Sequence, residues 1–195
     1  PIVRLGKNQI QRMVGAWDPA TGLRGRDDSV LAVTARDTNG IVYVHDTINL
    51  SGAVDKEFDK QCEEIITACE RYKLGHIYLE ENFSVTLKTE LKRKIIERKK
   101  KITVMSEFRN TNKLNFLAQT LEPIIKVGKL RIHERVANDG KFMAQLEEFP
   151  YNKMDDFLDA TAMSISKLPE PSVDVSKIPQ IQSPLSFAGQ KNTIT

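Results

Sequence analysis

Ser29-Val30-Leu31-Ala32-Val33-Thr34-Ala35-Arg36-Asp37-Thr38-Asn39-Gly40-Ile41-Val42-Tyr43-Val44-His45 reads as a strand, a tight turn and a second strand. Residues 29–35 are mostly apolar and read as a strand. The pair Asn39-Gly40 supplies the turn, because it tolerates the positive φ values that tight hairpins require. Working outward, Met13-Val14-Gly15-Ala16-Trp17 is a second near-continuous apolar run and predicts a central strand over 10–17 that ends at Asp18. The strand beyond the turn runs over 41–50, so the domain opens on a three-stranded antiparallel meander.

The hydrophobic period then changes. Val54, Phe58, Cys62, Ile65, Cys69 and Tyr72 recur every three or four residues and predict an amphipathic helix that Gly75 can stop. His76-Ile77-Tyr78-Leu79-Glu80 has the composition of a short strand. A helix with Leu87, Leu91 and Ile95 on one face follows, then a strand over 102–105. Leu114, Leu117, Ala118, Leu121 and Ile125 mark the next helix, which Pro123 should kink or divide. A short strand over 129–133 and helices over 142–149 and 154–167 close the domain. Three antiparallel strands followed by alternating helices and strands predict an α/β fold of ribonuclease H-like type (resolvase/integrase superfamily). Its mixed central sheet carries helices on both faces, with the ends of the first and fourth strands side by side. The domain spans 1–168. Beyond it Pro169, Pro171, Pro179 and Pro184, with Ser and Gln between them, predict a flexible or partner-docking tail over 169–195.

The charge balance of 29 Lys+Arg against 26 Asp+Glu is close to neutral, so affinity for nucleic acid has to come from local clusters. No apolar run reaches the length of a membrane span and no signal peptide is visible, which predicts a soluble, intracellular protein without membrane contact. Opening on Pro1 rather than Met suggests an excised domain. Cys62 and Cys69 lie seven apart on one predicted helix, about 10 Å along its axis, too far for a disulfide. His45, His76 and His133 have no zinc-ligand spacing.

In this topology Asp18 and Glu80 terminate neighbouring strands, and the last helix offers Asp156 and Asp159 one turn apart on one face. Each has a plainer role alone: Asp before Pro marks turns, Glu80-Glu81 at a strand end is commonly solvated, and Asp155 and Asp156 suit a helix start. Asp159 lies in an apolar helical stretch and needs a partner if buried. Together the four carboxylates predict a cage for two Mg2+ or Mn2+ ions, with Asp18 bridging both. Hard divalent cations take oxygen ligands without His or Cys, and a two-ion site hydrolyses phosphodiesters by in-line displacement.

These residues resemble the C-terminal nuclease domain of the large terminase subunit of tailed bacteriophages, in particular short-tailed phages. The resemblance runs over about 14–168. Asp18-Pro19-Ala20 with Asp28-Ser29 beyond it is similar to the family's first-strand motif, and Glu80-Glu81-Asn82-Phe83 to its Glu-x-Asn-Phe segment, which picks Glu80 over Glu81. Leu121-Glu122-Pro123-Ile124-Ile125 with Gly128-Lys129-Leu130 resembles a further segment. Asp155-Asp156-Phe157-Leu158-Asp159-Ala160 is similar to the closing Asp-Asp-x-x-Asp-Ala helix. Two departures are Met154, where many relatives have His, and Ser84, where they have Gly; neither removes a carboxylate.

The resemblance implies an endonuclease that cuts concatemeric double-stranded DNA at the start and end of genome packaging in the host cytoplasm. Its expected partners are a portal protein, a small terminase subunit and a packaging ATPase domain of the same full-length polypeptide. No Gly-x4-Gly-Lys-Ser/Thr phosphate loop occurs in this chain. Asp156, then Asp159, then Asp155 is the order of preference for the helix ligand, with Asp28, Glu81 and Asp155 as outer supports. DNA-backbone contacts are expected from Arg24 and Arg26 on the loop leaving Asp18, and from Lys92 and Arg93 in the basic stretch 88–101. A Holliday-junction resolvase or ribonuclease H would use the same carboxylates on other substrates, and a docking module with a degenerate site is the non-enzymatic alternative.

Overall fold

The computed structural model describes residues 3–5, 7–20, 28–51, 58–80, 85–107, 112–151 and 154–170. Among them the chain order is β1 (Val3–Leu5), β2 (Asn8–Asp18), β3 (Val30–Asp37), β4 (Val42–Asn49), α1 (Phe58–Arg71), β5 (His76–Glu80) and α2 (Val85–Glu97). Then come β6 (Thr103–Glu107), α3 (Lys113–Lys126), β7 (Leu130–Ile132), α4 (Glu134–Ala137), α5 (Gly140–Glu148) and α6 (Asp156–Ser166). The strands form one mixed sheet in the order β6-β5-β2-β3-β4-β7, with β1 also paired to β2. β2, β3 and β4 are the antiparallel meander, while β5 runs parallel to β2 with Trp17 opposite Leu79. This is the ribonuclease H order expected from the pattern of elements. Two elements had no counterpart in that pattern: β1 and α4 are three and four residues long, too short to carry a period.

The lack of alternation in β3 has a direct cause, since all eight of its residues are buried. Val30 and Ala32 face a core completed by α3, α5 and α6, whereas Leu31 and Val33 face a second core under α1 and α2. Trp17 anchors the second core, stacked on Phe58 at 5.8 Å, with its indole N–H donating to Ser29 Oγ at 2.9 Å. Each large side chain so buried contributes about 1.5–3 kcal/mol. Gly15 lets Leu74 and Ile77 close over β2: a Cβ there would lie 2.8 and 2.9 Å from their Cδ1 atoms. Cys62 and Cys69 are unpaired thiols of this core, pushed up to about 12 chiefly by burial and so unreactive.

The hairpin turn is carried by Gly40 at φ 77°, while the Asp37 carboxylate accepts from the amides of Asn39 and Ile41 at 2.9 Å. α3 runs unbroken through Pro123, so that residue does not divide it. Proline in the last turn removes one helical hydrogen bond, and Val127 N closes the end by donating to Pro123 O at 3.2 Å. α6 lies flat across β2 and β3 because its inner residues are small. Ser164 Oγ donates to Val14 O at 2.9 Å and meets Thr34 Oγ1 at 2.7 Å. Leu168 is buried, and Arg36 donates to Pro169 O at 2.8 Å, so the first residue of the expected tail is tied to the sheet. Residues 171–195 lie outside the described residues. No described helix is long and apolar enough to cross a membrane.

Candidate metal centre

Parallel pairing of β2 with β5 places their last residues, Asp18 and Glu80, at one edge of the sheet. α6 crosses that edge and brings Asp159 from its first turn, so that one carboxylate oxygen from each of Asp18, Glu80 and Asp159 lies within 4.8 Å of the others. All three are buried, with Asp159 only 2 % exposed. Asp156, one turn earlier and also buried, accepts from the Asp28 backbone N–H at 3.1 Å through Oδ2. Asp155 precedes α6 without a side-chain bond to its first amides and pairs with Lys113 Nζ at 2.7 Å.

Lys113 went unrecognised in the sequence, where the dense run 88–101 drew attention away from a lone cation. It is the first residue of α3, whose start is capped by the Asn112 carboxamide oxygen accepting from Leu114 N at 3.0 Å. Its ammonium lies 3.1 Å from Asp159 Oδ2. The signal that could have found it is topological: in this strand order the helix after β6 starts at the edge where β5 and β6 end.

Burial is the largest force on Asp18 and raises its pKa well above the usual carboxylate value; the negative charges of Asp159, Glu80 and Asp156 raise it further, and Lys113 opposes them. Burial alone would lower the pKa of Lys113, but Asp159, Asp155 and Asp18 outweigh it and hold the ammonium charged. Among the described residues the cluster is predominantly negative. Its all-oxygen donors suit hard divalent cations, which relieve the repulsion between the carboxylates.

Asp28 adjoins the site: its carboxylate pairs with Lys141 at 2.6 Å while its amide serves Asp156. Glu81, Arg24 and Arg26 lie outside the described residues. Lys92 is exposed on α2. Arg93 is engaged within the same helix by Glu90 and Glu97. Lys94 and Arg98 of that basic stretch turn to α1, with Lys94 at 2.5 Å from Asp59 and Arg98 at 2.7 Å from Glu63. Lys88 donates to Ser106, the β6 residue paired with Leu79, and so stands level with the end of β5.

The sequence model of the family described as Terminase Bacteriophage T7, Ribonuclease H-like domain matches residues 17–130, a span that contains Asp18, Glu80 and Lys113. The fold is similar to the large terminase nuclease from thermophilic phage G20c, with a TM-score of 0.54 at 15 % identity over 87 % of this chain and 92 % of that one. A mutant fragment of the large terminase subunit from bacteriophage sf6, with calcium, gives 0.49 at 15 % identity over 78 % and 87 % of the two chains. The yeast mitochondrial Holliday junction resolvase Ydc2 gives 0.47 at 14 % over 78 % and 76 %. No curated protein matches in sequence.

Proposed function

The chain belongs to the ribonuclease H-like family of terminase nuclease domains, and we propose that it cuts concatemeric double-stranded DNA at the initiation and termination of viral genome packaging. The observation that carries the reading is the buried trio of Asp18, Glu80 and Asp159, three carboxylates from three elements at one sheet edge. Burying like charges this closely is costly without a cation, and the Lys113 ammonium offsets part of that cost.

Asp18, Glu80 and Asp159 are the proposed ligands of two Mg2+ or Mn2+ ions, with Asp18 shared and Asp156 the fourth contributor. When bound, such ions activate water and stabilise charge on the phosphoryl oxygens and the leaving oxygen. The chain's own part is to hold these carboxylates close together at one edge of the sheet. Lys113 balances Asp159 and Asp155 and limits the repulsion that Asp18 feels. Asp28, through its amide, fixes one oxygen of Asp156, and Glu81 and Asp155 complete the proposed outer supports.

DNA is held through its backbone in this reading, by Arg24 and Arg26, which follow Asp18 in sequence, and by Lys92 and Arg93 on α2, Arg93 exchanging its helix partners for phosphate. The working assembly joins this domain to a packaging ATPase domain of the same polypeptide, a portal protein and a small terminase subunit, in the host cytoplasm.

The test is digestion of supercoiled plasmid in parallel with Mg2+, Mn2+ and EDTA, alongside linear duplex, a four-way junction and an RNA–DNA hybrid. Metal-dependent cutting of plasmid and linear duplex is expected. Activity confined to the junction or the hybrid would instead support a resolvase or a ribonuclease H.

A further inference from the structure

α6 begins inside the acidic cluster, and its first backbone N–H groups need acceptors. The usual acceptor is the side chain of the capping residue: Asn112, His133 and Asp139 each serve their own helices α3, α4 and α5 in this way. Asp155 precedes α6 and is chemically suited to the task, yet it makes no capping bond and turns to Lys113 instead. The two amides it leaves are taken by α5. Gln145 Oε1 accepts from Phe157 N at 3.0 Å and from Leu158 N at 3.3 Å, and Gln145 is itself only 7 % exposed.

Lys141 stands four residues before Gln145, one turn away on the same face of α5. It pairs with the Asp28 carboxylate at 2.6 Å, and the Asp28 amide donates to Asp156 Oδ2 at 3.1 Å. α5 places no carboxylate in the trio, yet it reaches α6 by both routes.

Resting on the metal-centre reading above, we propose that α5 is the positioning element of the site: Gln145 caps α6 so that Asp155 stays on Lys113, and Lys141 holds the residue that orients Asp156. A neutral carboxamide can satisfy both amides without adding another negative charge to the carboxylate cluster. Without it, Asp155, which holds the capping position of α6, is the side chain placed to take those amides. Its return to the helix end strips Lys113 of one partner and loosens the cation that balances Asp159. Gln145 and Lys141 are thus positioning residues that act through the ligands.

The experiment measures Mn2+ affinity by electron paramagnetic resonance and calorimetry in wild type, Gln145→Leu, Gln145→Glu, Lys141→Met and Lys141→Arg. Amide hydrogen exchange at Phe157 and Leu158 is followed in the metal-free proteins. Gln145→Leu is expected to lose about 10- to 100-fold in Mn2+ affinity, as removal of an outer support around a metal ligand does. Both amides should lose protection, and KM for DNA should stay within about twofold while kcat falls. Gln145→Glu keeps an acceptor oxygen on the amides and should restore their protection. Lys141→Met, at a side chain 60 % exposed, should weaken Mn2+ binding without unfolding, and Lys141→Arg should recover it. Unchanged Mn2+ affinity in Gln145→Leu, or in Lys141→Met should the former not fold, overturns the proposal. Wild-type protein that binds no Mn2+ while both amides are protected overturns the metal centre itself and the proposal with it.

Discussion

Replacing Asp18 with Asn should stabilise the metal-free protein while abolishing cleavage. Asp18 has carboxylate oxygens of Glu80 and Asp159 within 4.8 Å, and at an effective dielectric of about 20 each fully charged pair at that distance costs about 3.5 kcal/mol. Two effects reduce the gain. Lys113 offsets part of the repulsion, and the raised pKa of Asp18 lets a proton relieve another part. A net gain of about 1–2 kcal/mol remains, equivalent to a rise of about 3–6 °C in Tm for a domain of this size. Metal reverses the order. An ion present at about 100 times its Kd adds about 2.7 kcal/mol to a protein that binds it only when folded, and Asp18→Asn, having lost the shared ligand, should gain little of this. Thermal denaturation of both proteins in EDTA and in excess Mn2+ reads the effect: the variant melts higher in EDTA and lower in Mn2+. A variant that melts below wild type in EDTA, or gains as much from Mn2+ as wild type does, would refute the argument from charge repulsion.

Lys113→Met should act in the opposite direction in EDTA, costing about 1–2 kcal/mol by urea denaturation, a figure discounted because the lysine side chain is 43 % exposed. The same change in an Asp18→Asn background should cost less, since fewer charges remain to balance. The raised pKa of Asp18 means that the folded state binds this proton more tightly than the unfolded chain, so the stabilisation is complete below about pH 3.9 and is lost as pH rises through the shifted value. Measured in EDTA, wild type should therefore lose stability relative to Asp18→Asn as pH rises above about 4; a constant difference would contradict the shift. Replacing both Arg24 and Arg26 with Ala should weaken DNA binding equally on unrelated sequences and flatten its log–log salt dependence by up to about two units, leaving Mn2+ affinity intact. New sequence preferences in that variant would mean that these arginines read bases.

The features legible from sequence are those that one segment encodes by itself. The apolar runs ending at Asp18 and Glu80 announced buried strands because both faces of the sheet are covered, and the order of periods along the chain then implied which strand ends meet. Asp156 and Asp159 declared themselves by their spacing of three in an apolar helix. Within that pair the sequence preferred Asp156 as ligand; in the structure Asp159 joins the trio, and Asp156 receives the Asp28 amide. That difference depends on how α6 is rotated on the sheet, which is set by the seat of Ser164 on Val14 and Thr34 rather than by the acidic motif. Lys113 and Gln145 were invisible for a related reason. Each is a single residue whose partner lies on another helix, so no spacing records it. In the basic stretch 88–101 the sequence does not show which charges are matched inside the fold: Lys94 and Arg98 pair with Asp59 and Glu63 on α1.

The central claim is that Asp18, Glu80 and Asp159 hold the ions with which this domain cuts DNA. Its most direct test is an anomalous difference map from crystals of the wild-type domain soaked in Mn2+. The account predicts two peaks about 3.5–4 Å apart, both within ligand distance of Asp18, one shared with Glu80 and one with Asp159. A map in which Mn2+ occupies other carboxylates and leaves this trio empty would contradict it.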